Sequence, residues 1–189
     1  MRFIADNTVG KLRRWLSLLG YDIVYDPRPA RAILRALREA PNAPPPSDQS
    51  AAEPDASGCV RGGVIVLGRC PSLATEEASL APVGSAGERI SSYPAFFQVE
   101  SPRLSSQIRE VTRAFPMDFA KAAFTRCSCC NLELEGPLAL GAVADQVPAL
   151  VREWRTEYYR CPACERVYWD GTHTEHVRAF LRDEAGLAL

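Results

Sequence analysis

Four of the seven cysteines fall into two pairs, Cys127/Cys130 and Cys161/Cys164, each with two residues between its members. Thiolates at that spacing can share a metal ion, because a tight knuckle turns both sulfurs toward one point. Two knuckles complete the tetrahedron that zinc prefers. Cys59, Cys70 and Cys129 are left over, and an odd count with paired CxxC motifs favours a metal site in a reducing compartment over a disulfide framework. A closed four-sulfur site has no open position for substrate, so zinc there would support the fold rather than the chemistry. Cys129 lies inside the first knuckle, where pairing it with Cys127 or Cys130 gives a spacing that suits zinc less well. Asn131, after the first pair, suits a left-handed turn; Glu165, after the second, suits one less. His173 and His176 could share a metal with Asp170, but Gly171 and Thr172 interrupt a helix through all three. The two histidines therefore read as surface residues or as supports of a metal site.

The elements around these residues follow from apolar spacing. Arg2 to Ala5 read as a short strand ending at Asp6. Asn7 or Thr8 can cap the helix that follows, in which Val9, Leu12, Leu16 and Leu19 form a stripe widened by Trp15 and Leu18. Gly20 stops that helix, and Tyr21 to Tyr25 form a second strand. Pro29 opens a second helix with Ala30, Ile33, Leu34 and Leu37 on one face and Arg31, Arg35 and Arg38 on the other. Strand, helix, strand, helix predicts parallel α/β structure. Residues 41–62 are rich in Pro, Ala and Ser and carry no apolar period, which predicts an inserted flexible loop. Val64 to Leu67 suit a buried central strand. Residues 71–90 are ambiguous, Ala95 to Val99 read as a fourth strand, and Ser101 and Pro102 start a helix striped by Leu104, Ile108, Val111 and Phe115. Thirty residues separate Cys130 from Cys161. They hold a further predicted helix, with Asp145 near its start, Pro148 in its first turn, and Leu150, Val151 and Trp154 as its apolar side.

The chain of 189 residues fits one ordinary domain plus a small appendage. The boundaries are predicted at 1–125 for the α/β part and 126–189 for the cysteine-bearing part and a C-terminal helix. A net charge of -1 excludes a global basic field. Locally, residues 1–40 carry eight Lys/Arg against four Asp/Glu, and residues 101–126 carry five against two. Those cations either meet phosphates or are solvated helix faces. No apolar run approaches the roughly 20 residues that cross a bilayer, and the N-terminal charge order is wrong for a secretory signal. The expectation is a cytoplasmic protein with no membrane partner.

The stretch FIADNTVGKLRRWLSLLGYDIVY, with RCSCCNLEL and YYRCPACERVYWDGTH far downstream, resembles the Mut-seven C-terminal RNase family. The resemblance covers both ends of the chain and is weak from Pro27 to about Ser101. It implies a PIN-like three-layer α/β/α domain with a parallel sheet, a C-terminal zinc ribbon, and metal-dependent cleavage of RNA. Carboxylates at the C-terminal ends of the strands would then hold Mg²⁺ or Mn²⁺. Asp6 matches the first family carboxylate and is the candidate catalytic residue; capping of the following helix is its alternative role. Lys11 and Arg14 fall in the same motif and are candidate RNA-backbone contacts. Cys127, Cys130, Cys161 and Cys164 match the zinc ligands. The family's other acids are missing: Arg28-Pro29-Ala30-Arg31 stands where an acidic cluster is expected, and Gly68-Arg69-Cys70 where Thr-Arg-Asp is expected. Cys70 is a poor ligand for hard Mg²⁺; Asp26, Glu76 and Glu77 are the nearest substitutes. The resemblance therefore implies one of two things. Either the chain is a metal-dependent ribonuclease with part of its carboxylate set missing, or it is a catalytically impaired descendant that binds RNA or a protein partner.

Overall fold

Period-2 alternation in four short apolar strands builds the centre of the molecule. The structure, a computed structural model, describes residues 1–39, 63–76 and 94–189. The predicted loop at 41–62, with Cys59, and Glu77 with the rest of 77–90 lie outside the described residues. Strands β1 (Arg2–Ala5), β2 (Ile23–Tyr25), β3 (Val64–Gly68) and β4 (Ala95–Gln98) form one sheet in the order β2-β1-β3-β4, all parallel. The strand order reverses between β1 and β3, which places a crevice at their C-terminal ends.

Successive residues of each strand feed opposite faces. Phe3, Ala5, Ile23, Ile65, Leu67 and Phe97 pack with Leu12, Leu16 and Leu19 of helix α1 (Gly10–Leu18) and Ile108 and Val111 of α4 (Leu104–Ala114). Ile4, Val66 and Phe96 pack on the other face with Ala30, Ile33 and Leu34 of α2 (Ala30–Glu39) and Leu73 of α3 (Pro71–Glu76). The sheet thus lies between two helical layers, the α/β/α arrangement that the family resemblance implies. The stripes of α1, α2 and α4 are buried as their spacing requires, and Gly20 ends α1 with φ of 95°.

A short helix α5 (Phe119–Ala122) leads into a second sheet, antiparallel, of β5 (Glu135–Leu138), β6 (Tyr158–Arg160) and β7 (Val167–Tyr168) in that order. Between β5 and β6 lies α6 (Ala149–Trp154). Its predicted apolar side needs correction: Leu150 and Trp154 are 73% and 77% exposed. Only Val151 packs, because Val143, Val147 and Tyr158 already form the small core beneath it. The last helix, α7 (Thr172–Asp183), returns to the main core through Val177 and Leu181. Asp170 precedes that helix, and His173 and His176 are exposed on it, so the three residues make no metal triad.

Candidate functional site

The two knuckles have the same backbone form. In the first, the Asn131 N–H donates to the Cys127 carbonyl at 2.9 Å and the Cys127 N–H to Leu132 at 2.8 Å. In the second, Glu165 donates to Cys161 and Cys161 to Arg166, both at 3.0 Å. Each turn closes on a residue in the left-handed region, Asn131 at φ 62° and Glu165 at φ 56°. Glu165 adopts this conformation although its side chain disfavours it, because the second knuckle must reproduce the first to aim its sulfurs. Left-handed backbone costs a non-glycine residue about 1–2 kcal/mol, part of which glycine returns as chain entropy. Glu165→Gly is therefore expected to raise stability by up to about 1 kcal/mol in a urea melt. A loss of stability would mean that the Glu165 side chain contributes more than its backbone strain costs.

This geometry gathers the sulfurs of Cys127, Cys130, Cys161 and Cys164 within 4.8 Å of one another, with Cys127 and Cys164 at 3.7 Å. A zinc ion with Zn–S bonds of about 2.3 Å needs sulfur separations of about 3.8 Å, so the four thiols can hold a metal ion such as zinc. Among the described residues no other such group forms, and Cys129 stays outside this one. Burial opposes ionisation of Cys127. The Cys130 N–H, the Tyr168 hydroxyl (3.1 Å) and the Cys129 N–H outweigh it and bring the thiol down to about 7. Burial pushes Cys130 and Cys161 up. A cation entering the cluster must therefore displace the protons of Cys130 and Cys161.

The second candidate site is the C-terminal edge of the parallel sheet. Asp6 follows β1 and is 1% exposed. Its Oδ1 accepts the Thr8 N–H (2.8 Å) and the Thr8 hydroxyl (2.5 Å), and its Oδ2 accepts the Ala30 N–H at the start of α2 (3.2 Å). The Thr8 hydroxyl in turn accepts the Arg69 N–H at 2.8 Å. The expected cap of α1 by Asn7 or Thr8 is therefore not made. Val9 stands at the cap position without a side-chain hydrogen bond, and Thr8 is engaged by Asp6. Gly68 keeps this nest open, since a Cβ there would lie 2.6 Å from Asp6 Oδ2.

Asp26 follows β2 and is 2% exposed. Arg28 grips it through its backbone N–H (2.9 Å), through Nε to both oxygens (3.0 and 3.2 Å), and through Nη2 at 2.6 Å. Burial opposes ionisation of Asp26, but the hydrogen bonds and charge of Arg28 prevail and hold its carboxyl below the usual range. The unfolded chain then takes up the proton first. The pair's contribution to stability is complete above about pH 4 and is lost as pH falls through the lowered value. The stability gap between the wild type and Arg28→Ala should be widest above about pH 4 and close below it; urea melts across the acid range measure this. A gap that ignores pH would remove the ion pair from the account.

At the end of β3, Cys70 donates its N–H to Gln98 Oε1 (3.0 Å) and brings a sulfur to the edge, while Arg69 is exposed beside it. Mg²⁺ and Mn²⁺ require several free oxygens. Both Asp6 oxygens already accept protein donors, Asp26 carries a guanidinium, and Cys70 offers a thiol. These described residues do not fit such an ion. Lys11 and Arg14 are exposed on α1, one helical turn apart. The structure places Asp6 at the end of β1 and Lys11 and Arg14 on the exposed side of α1; the grip of Arg28 on Asp26 is not read from the sequence. Only the X-Asp-Pro-Arg-Pro turn after β2 could have signalled it.

A family model described as the Mut7-C RNAse domain matches residues 59–181. Asp6, Lys11 and Arg14 lie before the matched residues. No curated protein and no solved structure matches the chain. Among the described residues, no helix is long and apolar enough to cross a membrane.

Proposed function

Given that the chain belongs to the Mut7-C RNAse domain family, we propose that it binds RNA and cleaves it poorly or not at all. The observation that carries this reading is the state of the two buried carboxylates: Asp6 accepts three donors from Thr8 and Ala30, and Asp26 is held by Arg28. Phosphodiester hydrolysis of this type relies on divalent ions to orient a water and to neutralise phosphate charge, and such ions need carboxylate oxygens that are free.

Binding asks for less. Exposed cations near the crevice at the sheet edge are sufficient to hold a phosphate backbone. Lys11 and Arg14 on α1, with Arg69 at the end of β3, are the residues assigned to that contact. In this reading residues 1–125 form the RNA-facing unit. Residues 126–189 form a zinc ribbon and a helix that packs against that unit, with zinc held by Cys127, Cys130, Cys161 and Cys164.

The test is a salt titration of binding to single-stranded RNA. Each phosphate contact on a single strand contributes about 0.7 to the slope of log affinity against log salt. The double variant Lys11→Ala/Arg14→Ala is expected to weaken binding and lower that slope by about 1.4. An unchanged slope would show that α1 does not face the backbone.

A further inference from the structure

The first cysteine knuckle does not hang free from the α/β unit. Asn131, its left-handed residue, is 3% exposed and has its whole amide engaged. Its Oδ1 accepts the Ile23 N–H at 2.8 Å, and its Nδ2 donates to Ser17 Oγ at 2.6 Å and to the Tyr21 carbonyl at 2.8 Å. β2 is an edge strand of the parallel sheet. Its neighbours in sequence, Asp22 and Asp26, bond to β1 through Phe3 and Ala5, so the Ile23 N–H faces the free side. A buried edge donor left open is costly, and here the knuckle supplies its acceptor from 108 residues away.

Two arginines complete the junction. Arg13 of α1 donates to the carbonyls of Ser128 (3.2 Å) and Cys129, both inside the knuckle, while its Nε is buried without a partner among the described residues. Arg126 donates to the Gly20 carbonyl (3.0 Å) at the end of α1 and to the Asn131 carbonyl (2.9 Å). A divalent cation held by four thiolates leaves two net negative charges on the cluster. That charge attracts the Arg13 guanidinium, whose carbonyl partners lie inside the knuckle, while the Arg126 guanidinium is also paired with Glu133 at 2.8 Å. Metal occupancy thereby favours the docked junction through charge as well as through the shape of the knuckle.

We propose that Asn131 and Arg13 are positioning residues that couple metal occupancy of the four-cysteine site to helix α1 and edge strand β2. With metal bound, the knuckle covers the free edge of the sheet and fixes the helix that carries Lys11 and Arg14. With metal lost, the carbonyls and the amide that grip the corner lose their fixed places, and the Ile23 edge opens. Any consequence for RNA affinity rests on the function proposed above; the coupling itself does not.

Amide hydrogen exchange on the full chain tests this. The decisive variant is Asn131→Gly, which keeps the left-handed turn at φ 62° available and removes only the docking amide. Zinc content, measured by elemental analysis, should remain at the wild-type ratio. In the zinc-loaded variant, exchange of residues 21–25 is expected to rise about tenfold while residues 64–67 keep their protection. Chelation of the wild type should raise exchange at 21–25 in the same sense, and chelation of Asn131→Gly should add little more. Arg13→Met, which keeps the apolar stem, should reproduce the effect on residues 10–18.

Two results would overturn the proposal. One is unchanged exchange at 21–25 in zinc-loaded Asn131→Gly. The other is an equal factor on chelation in variant and wild type, which means no coupling. If chelation unfolds the whole wild-type chain, the zinc-loaded variant still decides, because its metal is in place.

Discussion

Cys161→Ser is expected to abolish metal binding and to unfold the ribbon outright. The antiparallel sheet there has strands of four, three and two residues, too few to stand without a staple. Its core about the knuckles is largely the cysteines themselves, with Leu132, Leu134 and Tyr168 against them. Structural zinc sites carry on the order of 10–16 kcal/mol of apparent binding energy, more than such a ribbon can replace. Removal of one ligand leaves the others as buried thiols around a void. Trp169, packed against Val143, Val147 and Tyr158, reports the event by its fluorescence. The paired knuckles in the sequence predict that a chelator melts residues 127–169 and leaves the N-terminal sheet largely folded. Because Arg13, Arg126 and Asn131 grip α1 and β2, the expected loss now includes that corner, while β3 and β4 hold. Full zinc-free protein with unchanged Trp169 emission would refute the site.

The second large effect belongs to Asp6. As a carboxylate it satisfies the Thr8 N–H, the Thr8 hydroxyl and the Ala30 N–H, and it ties the ends of β1 and β3 to the start of α2. Asparagine has one acceptor oxygen and would turn its amide donors toward groups that also donate. Hydrogen bonds to charged groups and stranded buried donors are each worth a few kcal/mol, so Asp6→Asn should cost about 2–4 kcal/mol. For a chain of this size that lowers the melting temperature by roughly 5–15 °C. The sign discriminates between roles. A free carboxylate kept for a metal ion is a stability liability, and its neutralisation would leave the melt unchanged or raise it. A melting temperature at or above that of the wild type would return Asp6 to catalysis.

What the sequence disclosed and what it withheld divide along contact range. Helix stripes such as Leu12, Leu16 and Leu19, or Ile108 and Val111, are local patterns, and the structure buries them. The CxxC spacing is local too, and it brought the four sulfurs together. Thr8 read as a helix cap because the competing carboxylate, Asp6, is committed only when β1, β3 and α2 converge. Asn131 read correctly as a turn residue. Its contacts with Ser17, Tyr21 and Ile23 span more than 100 residues, so no window of sequence contains them. Leu150 and Trp154 have helical spacing and still face outward, because periodicity records a face without recording whether anything covers it.

RNA is expected to be held at a sheet edge whose acids are already engaged. The most direct measurement incubates wild-type protein, zinc retained, with a mixed pool of single-stranded and structured RNA, with and without Mn²⁺, and follows both binding and chain length. RNA should be bound equally well with and without Mn²⁺, and left uncut. Mn²⁺-dependent cleavage that disappears in a folded Asp6→Asn protein would contradict this, and so would failure to bind RNA at all.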